Sequence, residues 1–161
     1  MVLFKVGRWG TGAGGLRLIP ILTGPTDYNR DGYDVYGNDY LTRNALWRLF
    51  DNDESTYASL AASIQQYYSA GIIVRLRNAV LPKSVQVKPY GEIPYGTYLQ
   101  IQGSNDGVEW ANLNARAEFS SDVIDLSSVN TAYKYYQILV DNYQGHNDMS
   151  LCEIAFYKRE V

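Results

Sequence analysis

The segment Thr97-Tyr-Leu-Gln-Ile-Gln102 decides the fold class, because its apolar residues alternate with polar ones as in a half-buried β-strand. The sequence Asn105-Asp106-Gly107 follows shortly after and is typical of a tight turn. Glycine accepts positive φ there, and the Asn and Asp side chains can hydrogen-bond back to the turn backbone. The stretch therefore predicts a strand that ends in a tight turn.

Further short segments with β-strand patterns lie on both sides of this stretch. They are Gly71-Ile-Ile-Val-Arg-Leu-Arg77, Ser84-Val-Gln-Val-Lys88, Val123-Ile-Asp-Leu126, Tyr133-Lys-Tyr-Tyr-Gln-Ile-Leu-Val140 and Ser150-Leu-Cys-Glu-Ile-Ala-Phe-Tyr157. Glycine, proline or asparagine separates most of them, and no long helix intervenes. Many short strands in this arrangement predict an all-β sandwich or jelly roll.

The first part of the chain has a different character. Leu16-Arg-Leu-Ile-Pro-Ile-Leu22 is a plausible strand, whereas residues 27–40, rich in Asp, Asn, Gly and Tyr, predict a long surface loop. Apolar residues at helical spacing predict a short helical turn over residues 43–50, and residues 55–68 fit either a helix or a loop with a strand. We divide the chain into residues 1–40, which join the sandwich or dock on a partner as an arm, and the sandwich itself, residues 41–161.

Composition limits the classes of function. A chain of 161 residues suits one domain, and a net charge of -3 without a basic cluster argues against a nucleic-acid partner. The lone cysteine, Cys152, excludes an intramolecular disulfide and a cysteine-rich zinc site, and its apolar neighbours predict that it is buried. No segment approaches the roughly 20 apolar residues that span a bilayer. The first residues lack a secretion signal, so we expect synthesis and folding in a cytoplasm.

Three regions of the sequence, in this order, resemble the discoidin family. They are Ala45-Leu-Trp-Arg-Leu-Phe-Asp-Asn-Asp-Glu-Ser-Thr-Tyr57, then Tyr98-Leu-Gln-Ile-Gln-Gly-Ser-Asn-Asp-Gly-Val-Glu-Trp110, and finally the two strand segments that end at Val140 and Tyr157. The family is also known from the C domains of coagulation factors and from related carbohydrate-binding modules. The resemblance implies a galactose-binding-like jelly roll of about eight antiparallel strands, and we expect Trp110 to be a core aromatic.

The resemblance also implies a structural calcium site, because many members of the family hold this ion where the first region meets the final strand. Its oxygens would come from Leu49 (by its carbonyl), Asp51, Asp53, Thr56 and Glu153. Asn52 replaces a family glycine and tolerates left-handed backbone geometry. The alternative is a metal-free loop in which Asp51 or Asp53 caps the following turn and Glu153 pairs locally.

The ligand site of the family lies on loops at one end of the sandwich, where an aromatic face meets sugar beside a few hydrogen-bonding groups. The candidate ligand-binding residues are Tyr36, Tyr40, Arg75, Tyr143, His146 and Asn147. The alternatives are a solvated histidine and a tyrosine tract that is buried against a partner subunit.

The sequence contains no recognisable frame for a catalytic triad or a phosphate loop, so we expect no enzymatic activity. We expect a binding module on a bacteriophage virion, made in the host cytoplasm, that contacts a host-cell glycan or another virion protein within a homo-oligomer or symmetric assembly. A purely structural assembly protein is the main alternative. A secreted, extracellular bacterial carbohydrate-binding module and a glycosidase are further ones.

Overall fold

Two facing antiparallel sheets form the fold in the computed structural model. The structure describes residues 11–12, 15–16, 19, 21–24, 29–30, 33–37, 43–60, 70–120, 123–142 and 149–158. The strands are β1 (Thr11–Gly12), β2 (Gly15–Leu16), β3 (Asn29–Arg30), β4 (Tyr33–Gly37), β5 (Ala58–Ser59), β6 (Ala70–Val80), β7 (Pro82–Pro89), β8 (Thr97–Ser104), β9 (Ala111–Asn112), β10 (Ala117–Glu118), β11 (Val123–Asp125), β12 (Tyr133–Asn142) and β13 (Ser150–Lys158). A helix, α1 (Arg43–Leu46), continues directly into a 3-10 helix (Trp47–Phe50).

Within the described residues, one sheet has seven strands and the other has four. The larger has the order β10-β8-β12-β6-β4-β3, with β9 also paired to β8, and the smaller has the order β11-β7-β13-β5. In the larger sheet β12 lies between β6 and β8, so that Ile138 is opposite both Ile72 and Ile101. β1 and β2 pair separately, and β2 contacts β13. None of the described helices has the length and apolarity that crossing a bilayer requires.

The core lies between the two sheets and follows the period-two pattern of the strands. The seven-stranded sheet contributes Ile72, Val74, Leu99, Ile101, Tyr136, Ile138 and Val140, and the four-stranded sheet contributes Val85, Val87, Leu151, Ile154 and Phe156. The rings of Tyr136 and Phe156 join the sheets at a centroid distance of 5.5 Å. The Tyr136 hydroxyl donates to the Val80 carbonyl, and burial raises the pKa of this phenol. Alternation therefore determines which side chains the sandwich encloses.

The predicted helical turn is confirmed. α1 and the 3-10 helix cover residues 43–50, and Leu46, Leu49 and Phe50 are buried. The 3-10 helix packs against β13, which anchors this end of the turn. Of the segment that fitted either helix or strand, Ala58–Ser59 is β5, and residues 61–69 lie outside the described residues.

Two predictions for the first part of the chain are wrong in the described residues. Tyr33–Gly37 is not a surface loop but strand β4, which pairs with β6 and buries Tyr33 and Val35. Its alternation of apolar and polar residues is short and lies among polar neighbours, so the sequence gives only a weak strand signal. The open edge of β6 supplies the hydrogen-bonding partner. Of the strand predicted over residues 16–22, Leu16 lies in β2, whereas residues 19, 21 and 22 are not in a strand, and the Leu22 N–H donates to the Phe50 carbonyl at 2.9 Å.

The prediction of Trp110 as a core aromatic is also wrong. Trp110 is half-buried and does not join the core cluster of the described residues. It precedes β9, a two-residue edge strand whose residues are both exposed, so the indole lies at the rim of the sandwich.

The predicted turn after β8 is confirmed in detail. Gly107 has a φ of 77°, and one Asp106 carboxylate oxygen accepts the N–H groups of Val108 (2.8 Å) and Glu109 (2.9 Å). These hydrogen bonds lower the pKa of Asp106. The turn therefore combines a glycine-dependent backbone with a charged acceptor that closes it.

We expect Gly107→Ala to lower the free energy of unfolding by about 1–2 kcal/mol, because alanine is strained at positive φ. Its Cβ would also approach the Tyr135 ring at 3.4 Å. Gly91 has a φ of 86° and open space where a Cβ would lie, so Gly91→Ala isolates the backbone cost. Gly24→Ala, also in open space, is the control. Urea denaturation should show the largest loss of stability for Gly107→Ala, a smaller loss for Gly91→Ala and the smallest for Gly24→Ala. Equal stability of all three variants would contradict this order.

Candidate functional site

The loop of residues 51–56 follows the 3-10 helix and is held by hydrogen bonds. Asn52 has a φ of 60°, as its role in place of glycine predicts, and its N–H donates to Glu153 Oε2 at 2.9 Å. The Asp53 N–H donates to Asp51 Oδ1 at 2.9 Å, and the Ser55 N–H to Asp53 Oδ1 at 2.9 Å. Because Glu153 is buried on β13, the loop is attached to the centre of the four-stranded sheet.

Oxygen atoms gather around Thr56 in this loop. Its hydroxyl donates to Asp51 Oδ2 at 2.7 Å, and it lies 3.1 Å from the carbonyl oxygen of Asp53 and 3.5 Å from that of Arg48. Oxygen ligands of these kinds suit a hard cation that takes six to eight of them. The donor chemistry of the loop therefore fits calcium, although hydrogen bonds already connect its groups.

The predicted calcium ligands are only partly brought together. Asp51, Thr56 and Glu153 surround the Asn52 turn, whereas the Asp53 carboxylate faces Ser55, whose hydroxyl and N–H lower its pKa. The main-chain carbonyls that the Thr56 hydroxyl contacts are those of Asp53 and Arg48, whereas the predicted carbonyl ligand was that of Leu49. Within the part of the chain that the structure describes, no group of three or more His, Cys, Asp or Glu residues is arranged to hold a metal ion.

A cavity of about 350 Å³ opens beside this loop. It is lined by Glu54, Lys88, Pro89, Ile93, Phe119, Ser120 and Cys152. Glu54 comes from the loop and forms an ion pair with Lys88, which lies near the end of β7. We call this cavity, with the seven residues that line it, the Lys88 pocket; its size lies within the range of small-ligand sites.

Cys152 forms part of the wall of the Lys88 pocket. As predicted, it is buried, and its Sγ lies 3.3 Å from the Pro89 carbonyl oxygen. Burial raises the pKa of the thiol, which therefore stays protonated and is a poor nucleophile at neutral pH. Its neighbour Glu153 holds the Asn52 turn, so adjacent residues of β13 serve the pocket and the loop.

Two tyrosines form an exposed aromatic pair at the same end of the four-stranded sheet. The rings of Tyr57 and Tyr90 stack at a centroid distance of 4.4 Å and an interplanar angle of 22°, and each residue keeps more than two-fifths of its surface exposed. Tyr57 directly precedes β5, and Tyr90 directly follows β7, where its N–H donates to the Ser150 carbonyl. The pair thus extends from the chain segments that build the Lys88 pocket.

The predicted ligand-binding residues lie elsewhere or outside the described residues. Tyr40, Tyr143, His146 and Asn147 are outside the described residues. Tyr36 lies on β4 and Arg75 on β6, both in the seven-stranded sheet, and Arg75 Nη2 is 3.5 Å from Asp34 Oδ2. The structure therefore does not bring Tyr36 or Arg75 to the Lys88 pocket, whose strands β7 and β13 belong to the other sheet.

Sequence reasoning missed the residues of the Lys88 pocket and the stacking of Tyr90 on Tyr57. A usable signal was present: Lys88-Pro89-Tyr90-Gly91 ends a predicted strand with a cation, a break and an aromatic ring. Tyr57 entered the prediction only as part of the family-like segment. The contact of Lys88 with Glu54 joins residues 34 positions apart and has no local signature.

Neither a protein-family model nor a curated protein sequence matches the chain. Its structure is similar to that of CpGH89CBM32-6, produced by Clostridium perfringens, with a TM-score of 0.63, 17% identity, and coverage of 81% of this chain and 96% of that one. CpGH89CBM32-5 of Clostridium perfringens, solved in complex with GalNAc-beta-1,3-galactose, gives a TM-score of 0.56 and 11% identity over 78% of this chain and 94% of that one.

A GH29 fucosidase of Ruminococcus gnavus, solved in complex with fucose, is similar over 86% of this chain and 27% of the fucosidase chain, with a TM-score of 0.65 and 16% identity. At identities this low, the likeness shows the fold. The chain has the galactose-binding-like jelly-roll fold of CBM32 modules, which confirms the predicted fold class.

We expect Glu153→Ala to lower the free energy of unfolding by about 2 kcal/mol, because it removes a buried acceptor and leaves space behind. Glu153→Gln keeps an oxygen for the Asn52 N–H and should cost about 1 kcal/mol. Glu118→Ala changes an exposed residue of β10 and is the control. Thermal and urea unfolding in EDTA measure the series, and a Glu153→Ala protein as stable as the control would refute this role of Glu153.

Proposed function

We propose that this domain is a non-catalytic carbohydrate-binding module whose glycan site is the Lys88 pocket with the Tyr57–Tyr90 pair. The observation that carries the proposal is the exposed, stacked pair of tyrosines next to a pocket of mixed polar and apolar lining. Aromatic rings pack against the apolar faces of sugars, and a few polar groups beside them fix orientation. The shared fold with CBM32 modules supports the class of function, a carbohydrate-binding module.

The chemistry of the Lys88 pocket supports binding rather than hydrolysis. Glycosidases generally use two carboxyl groups that flank the scissile bond. Among the described residues that line this pocket, Glu54 supplies the one carboxylate, and it is paired with Lys88. The pocket thiol, Cys152, has a raised pKa and so is not an activated nucleophile.

We further propose that the module is displayed on a virion, made in the host cytoplasm, and binds a host-cell glycan. Weak individual sugar contacts would gain avidity by repetition on a symmetric particle or in a homo-oligomer. Docking to another virion protein, without sugar binding, is the competing function. A glycan array read with both a monomeric and a multimerised sample separates the two.

For the glycan site itself, we expect Tyr90→Ala and Tyr57→Ala each to weaken sugar binding roughly tenfold, because each removes a stacking surface. Val108→Ala, at an exposed residue in the turn after β8, should leave binding unchanged. The array identifies a sugar, and calorimetric titration with that sugar measures the affinities. No binding by the multimerised wild type, or binding that both tyrosine variants retain, would reject the site.

We also propose that the 51–56 loop binds calcium through Asp51, Thr56, Glu153 and main-chain carbonyls, a structural role separate from sugar contact. At a free calcium concentration about ten times the Kd, binding adds about 1.4 kcal/mol of stability. For a domain of this size, that raises the Tm by roughly 3–5 °C. We expect Asp51→Asn to abolish the rise, and magnesium not to reproduce it. An identical Tm in EDTA and in calcium would exclude the ion.

A further inference from the structure

The two charges of the Lys88 pocket are paired with each other. Glu54 and Lys88 are the charged residues among its described lining, and their side chains form an ion pair. We propose that Glu54 determines ligand specificity: by holding Lys88, it makes the pocket select neutral sugars over sugars that carry a carboxylate. This inference rests on the proposed glycan site.

Both partners of the ion pair lie on backbone segments that are connected to β13. Lys88 lies near the end of β7 and is opposite Glu153 in the pairing of β7 with β13, so its backbone is part of the four-stranded sheet. Glu54 lies in the 51–56 loop, which the Asn52 N–H attaches to Glu153. The two chain neighbours of Glu54 are hydrogen-bonded to each other, since the Ser55 N–H donates to Asp53 Oδ1. The backbones of Glu54 and Lys88 are thus both connected to β13, which places the Glu54 carboxylate within ion-pairing reach of the Lys88 ammonium group.

The two partners differ in exposure. The side chain of Lys88 is 27% exposed and that of Glu54 is 65% exposed. Lys88 is therefore part of the wall, whereas Glu54 covers it from the solvent side. A ligand that approaches from solvent meets the carboxylate of Glu54 together with the cation.

This arrangement treats neutral and anionic sugars differently. A sugar hydroxyl both donates and accepts, so it can donate to the Glu54 carboxylate and accept from the Lys88 ammonium without breaking their pairing. A sugar carboxylate only accepts, and it would compete with Glu54 for Lys88 while being repelled by the negative charge of Glu54. The rest of the described lining includes apolar Pro89, Ile93 and Phe119, which offer no second cation.

The test compares matched pairs of monosaccharides, galactose with galacturonate and glucose with glucuronate, in calorimetric titrations of wild type and Glu54→Gln. The substitution keeps the shape and removes the charge. We expect the preference for the neutral sugar of a pair to fall by about three- to fivefold, the effect that loss of one partly exposed charge produces. The change should come from tighter uronate binding and should shrink in about 1 M salt, where charges are screened.

Two controls separate this effect from general ones. Glu109→Gln changes the net charge equally, but this residue lies in the turn that follows β8 and does not line the Lys88 pocket. It should therefore leave the preference for neutral sugars unchanged. In the double variant Glu54→Gln, Lys88→Gln, the gain for uronate should disappear, because the cation is gone. Thermal unfolding of each protein confirms that the fold is intact, as expected for substitution of the exposed Glu54.

The outcomes distinguish the two levels of the proposal. If wild type binds neutral sugars and Glu54→Gln keeps the same preference, Glu54 does not set specificity and the glycan site stands. If Glu109→Gln changes the preference as much as Glu54→Gln, the effect is one of net charge and this inference fails. If neither wild type nor Glu54→Gln binds any sugar of the two pairs or of the array, both the site and the inference fail.

Discussion

The burial of β13 on both of its faces is the constraint on which the rest of the structure depends. Residues 151–157 of this strand are all buried. Ile154 and Phe156 enter the core, whereas Cys152 lines the Lys88 pocket and Glu153 holds the 51–56 loop. Because β13 pairs with β7 on one side and β5 on the other, a shift of this strand would disturb the core, the loop and the pocket together.

The proposed site lies where rigid strands end. Lys88 and Tyr90 come from the end of β7 and Tyr57 from the residue before β5, and the main chain of Tyr90 is hydrogen-bonded to Ser150 at the start of β13. The backbone of these residues is fixed by the sheet before a ligand arrives, which lowers the conformational entropy that binding costs. Tyrosine suits this role, since it supplies a large contact area with few rotatable bonds. The sandwich therefore provides positions, and the connections at its end provide the chemistry.

Much of the fold could be predicted from the sequence because the deciding signals are local. Alternating residues in β7, β8 and β12, the Asn105-Asp106-Gly107 turn and the apolar spacing before Phe50 depend on neighbours a few positions apart. Strand β4 was not predictable in this way. Its short segment lies in a polar tract and becomes a strand only because β6 offers an open edge. Trp110, likewise, was assigned to the core by its residue type, whereas its place next to an edge strand leaves it at the rim.

For the candidate site, the sequence by itself determined the local geometry of the 51–56 loop, since Asn52 favours positive φ and the Asp51 and Asp53 side chains each accept the N–H two residues later. It also determined that Cys152 is buried, from its apolar neighbours. Only the tertiary structure decided that Glu54 faces Lys88, that Tyr57 stacks on Tyr90, and that Cys152 adjoins Pro89, 63 residues earlier in the chain. Those contacts depend on the registers of β13 with β7 and with β5, and a register is set by burial of a whole sheet face rather than by any short segment.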